Sequence, residues 1–190
     1  MGIRTFFHKI KAGFVRTKEP SIPSLDAAKI YGNYGEDKLV YMLRKELPSC
    51  KFKRNVVVST PDGNAEIDCL VLHDNKLFAI EVKRWKGRLI EQENGFLQEK
   101  TDRWTGETHT KLHKSPFKQL GRAIYLLRKQ IPLKAWVNAI VFFEDDELES
   151  VSSFSGNVWF DRYQDLVEYI SNDGKVSFGT CANAVSYTHL

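Results

Sequence analysis

The stretch AEIDCLVLHDNKLFAIEVKRW, residues 65–85, decides how the rest of the chain is read. Two apolar runs flank Asp74-Asn75, and both of those residue types tolerate the left-handed backbone that a two-residue turn requires. The stretch therefore predicts a β-hairpin in which Asp68 stands opposite Glu81 and Glu66 opposite Lys83. Side chains alternate faces along a strand, which puts these four on one side and Ile67, Cys69, Ile80 and Val82 on the other. Two carboxylates facing each other across a ladder repel. A divalent cation relieves that repulsion, and Mg²⁺ (or Mn²⁺) needs only one or two carboxylates beside water and substrate phosphate. Asp68 and Glu81 are thus candidate metal ligands, and Lys83, on the same face as Glu81, is placed to offset charge growing on a phosphate in hydrolysis.

Upstream, residues 26–47 predict a helix whose second half shows an apolar face of Leu39, Val40, Leu43 and Leu47. Glu36 lies three and four residues before Leu39 and Val40, on that face, so its carboxylate points at the sheet and joins the candidate ligands. Gly32 and Gly35 permit the close backbone approach this needs. FKRNVVVS, residues 52–59, predicts a strand before the hairpin. After the hairpin comes a polar region with a small hairpin around Asn94-Gly95, in which His109 and His113 read as loop residues without a third ligand for zinc. Ser115-Pro116 opens a helix with an apolar seam of Phe117, Leu120, Ile124, Leu127 and Ile131. AWVNAIVFF, residues 135–143, reads as a strand buried on both faces. NVWF then gives a short last strand, and Asp161 caps a closing helix through Leu166, Val167 and Ile170. The core order, α-β-β-β-α-β, predicts an α/β sandwich with a mixed β-sheet flanked by helices.

The chain has 190 residues and a formal net charge of +4. Residues 1–20 hold five basic residues and one acidic, so the whole excess sits in a basic amphipathic arm, which with its linker covers residues 1–26. Such an arm can dock on the body, hold nucleic acid or lie on an anionic membrane surface. Residues 21–190 are neutral, and within the body, residues 27–171, charge is segregated: Lys83–Lys129 has 12 basic and five acidic residues, and Gln130–Ser171 has two basic and eight acidic. That asymmetry suits steering of a polyanion to one face. Residues 172–190 show no periodicity and read as a poorly ordered tail. Three cysteines, Cys50, Cys69 and Cys181, form no CxxC pair and predict reduced thiols in a cytoplasmic setting. No apolar run is long enough to span a bilayer.

GNYGE (Gly32–Glu36), AEIDCLVL with Asp68 and FAIEVKRWKG with Glu81 and Lys83 together resemble the NERD, or nuclease-related, domain of the PD-(D/E)XK restriction-endonuclease-like superfamily, over residues 27–170. The resemblance implies a metal-dependent nuclease fold with Asp68, Glu81 and Lys83 as its signature trio, Glu36 as the helix acid and Gln119 as a substrate contact. The expected function is a nuclease hydrolysing DNA phosphodiesters through a metal-activated water. Arg84, Lys86, Arg88, Lys118 and Arg122 are the expected nucleic-acid contacts beside Gln119. The competing reading is a non-catalytic nucleic-acid-binding or membrane-recruited module on the same scaffold.

Overall fold

The computed structural model describes residues 3–9, 15–17, 27–130, 136–152 and 156–175. The chain opens with helix α1 (Ile3–Lys9), strand β1 (Val15–Thr17) and helix α2 (Ala27–Glu46). Strands β2 (Lys51–Thr60), β3 (Gly63–His73) and β4 (Lys76–Lys83) follow as a meander. Strands β5 (Gly87–Gln92), β6 (Gly95–Thr101) and β7 (Thr108–Lys114) come next, then helix α3 (Pro116–Gln130) and strand β8 (Val137–Phe143). Strands β9 (Leu148–Ser152) and β10 (Trp159–Phe160) and helix α4 (Tyr163–Ser171) close the described chain. A six-stranded sheet has the order β1-β2-β3-β4-β8-β10, with β8 parallel to both β4 and β10, and a four-stranded sheet has the order β7-β6-β5-β9. The architecture is the predicted one, a mixed α/β sandwich with the core order α-β-β-β-α-β carried by α2, β2, β3, β4, α3 and β8.

Each face of the large sheet is covered by helices because each carries its own alternate set of apolar side chains. Leu120, Ile124 and Leu127 of α3 pack with Leu70, Leu72 and Leu77 of the hairpin on one face. Leu39 and Leu43 of α2 and Leu47 just after it, with Leu166 and Ile170 of α4, pack with Val71, Phe78 and Ile80 on the other. A third cluster, Leu89, Phe96, Val141 and Phe143, joins the two sheets. Ser115 caps α3 as predicted, its Oγ accepting from the Lys118 N–H at 3.3 Å. The closing helix is capped differently: the cap position is Arg162, not Asp161, and Arg162 instead pairs with Asp165 one turn on.

The hairpin turn is Asp74-Asn75, with Asp74 at φ +49°, and the ladder keeps the predicted register from His73↔Lys76 to Cys69↔Ile80. There it ends, so Asp68 and Glu81 are not ladder partners. On the other side of β3 the pairing likewise skips Asn55 and Asp68, while Arg54↔Cys69 and Val56↔Ile67 are paired on either side of them. Asn55 has φ +48°. Both strands change face at this break: Ile67 and Val56 pack towards α3, whereas Cys69 and Phe52 pack towards α2. The alternation expected from sequence, with Ile67 and Cys69 on one side, is therefore corrected by an irregularity at Asp68 itself.

Three strands departed from the sequence reading, the first being β1 in the arm, where no strand was expected. THTKLHK is strand β7 rather than a loop, and LESVS is strand β9, an element without a sequence counterpart. β7 lies so close to β6 that a Cβ on Gly95 would run into the His113 carbonyl oxygen. Of the N-terminal arm, Ile3 and Phe7 are buried against the α3 face and β1 pairs with β2, so its described part is docked on the body. The linker residues 18–26, Ile131 of the α3 seam, Cys181 and tail residues 176–190 lie outside the described residues.

Phe7 is 2% exposed, so Phe7→Ala is expected to destabilise the protein by about 3–5 kcal/mol. Urea unfolding checks this; a change below about 0.5 kcal/mol, usual for a surface position, would mean the arm is only tethered.

Candidate active site

The splayed end of the hairpin is where the acids gather. Where the β3–β4 ladder stops, the Asp68 side chain takes over as acceptor, its Oδ2 receiving the Val82 N–H at 2.8 Å. Glu81, two residues before the end of β4 and paired with Val141 of β8, is wholly buried. Its Oε1 pairs with Lys83 Nζ at 2.5 Å, the two side chains lying two residues apart on one face of the strand. Its Oε2 is buried and has no hydrogen-bond partner. Glu36 faces the same region from α2, its neighbour Asp37 pairing with Arg54 of β2.

These carboxyls hold their protons unusually firmly. Burial, then the nearby Asp68 charge, pushes Glu81 up to about 7 against the pull of Lys83. Burial, then Asp68, also raises Glu36 to about 7, with Arg54 opposing. Asp68 is raised by burial, with Lys83 and the Val82 N–H opposing. The acids are thus in one another's fields although the direct cross-strand pairing is missing. The three acids offer the hard oxygen donors that Mg²⁺ or Mn²⁺ takes, and Glu81 has a buried oxygen with no partner. The oxygens of Glu36, Asp68 and Glu81 do not all lie within 4.8 Å of one another, so the donors suit such an ion without being drawn up round one point. Glu66, predicted to sit opposite Lys83, pairs instead with Val57 and adds its charge to Glu36.

Behind this group stands a network that sequence reasoning missed. Glu144, directly after β8, is 3% exposed; its Oε1 accepts from Lys38 Nζ at 2.6 Å, its Oε2 is ion-paired with Arg84 Nε at 2.8 Å, and that Nε donates to the Glu144 backbone carbonyl at 3.3 Å. Its backbone N–H donates to the Lys83 carbonyl at 2.9 Å. Gly35 is required here, since a Cβ would lie 2.6 Å from Arg84 Cδ and 3.1 Å from Glu144 Oε2. One pin therefore fixes both the α2 turn bearing Glu36 and the β4 end bearing Lys83. An acid just past an apolar strand reads as an exposed loop residue, which is why Glu144 gave no signal.

The six expected nucleic-acid contacts do not gather beside the acids as one patch. Arg84 is held by Glu144 and lies over the Tyr34 ring at 5.1 Å. Lys86 pairs with Glu147 at 2.5 Å and Arg88 with Glu99 at 3.6 Å. Lys118 donates to the Glu93 carbonyl and to Asn94, Gln119 is exposed on α3, and Arg122 donates to the Asp62 carbonyl at 3.0 Å. His109 and His113 lie four residues apart on an extended strand, too far for one ion, and His113 stacks on Trp85 at 4.2 Å. A separate His73, Asp74 and Asp173 group at the turn end has ligand atoms within 4.8 Å of one another, and there Lys76 Nζ already reaches Asp173.

A mixed sheet between helices, with two acids and a lysine at the open end of its central hairpin, is the frame of a nuclease-like α/β sandwich. The chain belongs to the nuclease-related domain family, NERD, whose model matches residues 31–144, more than half of its length. The matched stretch contains Glu36, Asp68, Glu81, Lys83 and Glu144. No curated protein matches the chain. Among solved structures it is similar to protein VC1899 from Vibrio cholerae, with 13% identity and a TM-score of 0.38 over 89% of this chain and 41% of that one. The chain spans about two fifths of that protein's length.

A carboxyl with a raised pKa binds its proton more tightly folded than unfolded, so its stability contribution is complete below the unfolded pKa and is lost as pH rises through the folded one. For Glu81 that window runs from 4.5 to about 7. In chelator, the protein is expected to lose up to about 3 kcal/mol relative to Glu81→Gln between pH 5 and 8, at ~1.4 kcal/mol per pKa unit. Thermal melts of both proteins across that range check this. Parallel pH profiles would remove Glu81 from the set of strained acids.

Proposed function

We propose that this domain is a metal-dependent nuclease that hydrolyses DNA phosphodiester bonds. The observation that carries the reading is the buried Glu81 carboxylate, with one oxygen on Lys83 and the other without a partner, in the field of Asp68 and Glu36. Asp68 and Glu81 would hold Mg²⁺ or Mn²⁺, and Glu36 would reach it through water, consistent with an ion that keeps most of its hydration shell. When bound, such an ion polarises the phosphodiester and acidifies a water molecule. The chain's own groups do the rest. Lys83 Nζ, held on Glu81, donates to the phosphate oxygen on which charge accumulates. The Val82 N–H holds the Asp68 carboxylate in place, so that ligand need not reorganise during the reaction. Glu36 accepts hydrogen bonds from water on the α2 side of the site. Gly35, Arg84 and Glu144 fix the spacing between α2 and β4.

Lys83→Ala is expected to lower cleavage of DNA in Mg²⁺ or Mn²⁺ by about 10²- to 10³-fold while leaving DNA binding intact. Glu36→Gln should cost less, since Glu36 acts through water. Incubating parent and variants with single-stranded DNA, duplex DNA and RNA, with each ion or with chelator, tests both. Equal rates for Lys83→Ala and parent remove Lys83 from the chemistry, and absence of ion-dependent cleavage of any substrate by the parent sinks the nuclease reading.

A further inference from the structure

We propose that the inner face of the β6–β7 ribbon is the nucleic-acid track of this domain, with Lys111 and Lys100 binding successive phosphates and Trp104 stacking a base at the tip. The inference rests on the nuclease reading and gives its site a substrate path. Pairing of Phe96↔His113, Gln98↔Lys111 and Lys100↔His109 puts these six side chains on one face of the ribbon. The root of that face is fixed: Phe96 is buried against Phe143, which is the ladder partner of Lys83. His113 stacks on Trp85, and its Nε2 lies 2.9 Å from Gln98 Oε1, whose amide donates to the Lys86 carbonyl. Beyond this root the face turns basic and exposed at Lys111, Lys100 and His109. After burial, Lys111, Lys100 and Lys83 each act to hold the His113 pKa down, so all three ammonium groups lie within electrostatic reach of the ring at the root of the ribbon.

Charge pairing occupies many of the cations neighbouring Lys100 and Lys111 but not these two. Arg84, Lys86, Arg88 and Lys129 are neutralised by Glu144, Glu147, Glu99 and Asp62. Among the described residues, no acidic side chain forms an ion pair with Lys100 or Lys111. Glu99, between them in the ribbon, is on the opposite face with Arg88. From His113 to His109 the track is roughly 13 Å long at strand rise, about four nucleotides at ~3.4 Å per nucleotide. At its far end the turn is rigid, Asp102 Oδ1 accepting the Trp104 and Thr105 N–H groups at 2.8 Å each, and it displays Trp104 at 97% exposure beside Arg103. A solvated indole next to an arginine on a hydrogen-bonded turn is suited to base stacking, which is tolerant of sequence.

The test is binding of fluorescent single-stranded DNA, duplex DNA and RNA by fluorescence anisotropy in chelator, where no cleavage intervenes. Lys100→Ala/Lys111→Ala is expected to weaken binding at least about tenfold at low salt and to reduce the salt slope by about 1.4–1.8, at ~0.7–0.9 per phosphate contact. Trp104→Ala should weaken single-strand binding at least about fivefold and duplex binding less. Arg44→Ala/Lys45→Ala, on the outer side of α2, serves as the charge-matched comparison and should leave the slope unchanged. The parent's slope in Lys100→Ala/Lys111→Ala, an equal loss in the α2 variant, or no binding of any nucleic acid by the parent overturns the track. Ribbon-dependent binding without ion-dependent cleavage would sink the nuclease reading alone.

Discussion

The site depends on one break in the sheet. At Asn55 and Asp68 two paired strands lose a rung together and reverse their faces, with Asn55 in the left-handed region. Left-handed backbone at a non-glycine residue inside a strand is costly and persists only where surrounding packing demands it. Here two apolar clusters on opposite faces impose it, since Ile67 belongs to the α3 layer and Cys69 to the α2 layer. The consequence is that Asp68 is spared from both cores, and its carboxylate replaces a backbone acceptor for the Val82 N–H. A regular ladder would have buried one acid against the other. The broken one opens a gap between β3 and β4 and lines it with oxygen.

Such a gap would close or drift without a second constraint. Gly35 lets α2 approach until Arg84 and Glu144 fill the space a side chain would occupy. Glu144 is buried and paired on both oxygens' sides, with Lys38 of α2 and Arg84 of the β4 end. Removing one partner of such a buried pair typically costs about 3–5 kcal/mol, so the arrangement is rigid once formed. The Glu36 turn and the Lys83 strand end are thereby held to the same post. The same charges also explain why the basic stretch from Lys83 to Lys129 is not one patch: Lys83, Arg84, Lys86, Arg88 and Lys129 are held in ion pairs, and those left without ion pairs among the described residues include Lys100 and Lys111 on the ribbon.

The elements legible in sequence were those whose signals are local. The Asp74-Asn75 turn, the Ser115-Pro116 helix start and β4, bounded as Lys76–Lys83, follow from residue preferences acting over a few positions. β7 was not legible because THTKLHK is an exposed strand with little apolar content, held by backbone pairing to β6 and not by alternation. β9 escaped for the same reason: it exists because β5 offers an edge. Arg162 displaced Asp161 as the last cap because packing of Leu166 and Ile170, and not the cap, sets where α4 begins.

The sequence by itself determined that acids and a lysine would share the central hairpin, and that a helix acid would face it, because turn chemistry and periodicity are properties of short segments. Only the tertiary structure decided how they meet. The face reversal at Asp68 requires two competing cores, and the buried state of Glu81 requires β8 to lie beside β4. Glu144 becomes a structural post only because β8 and α2, distant in sequence, converge on Arg84. Charge in a sequence is a count, but whether a given lysine is a strut or a free hand depends on which acid the fold brings to it.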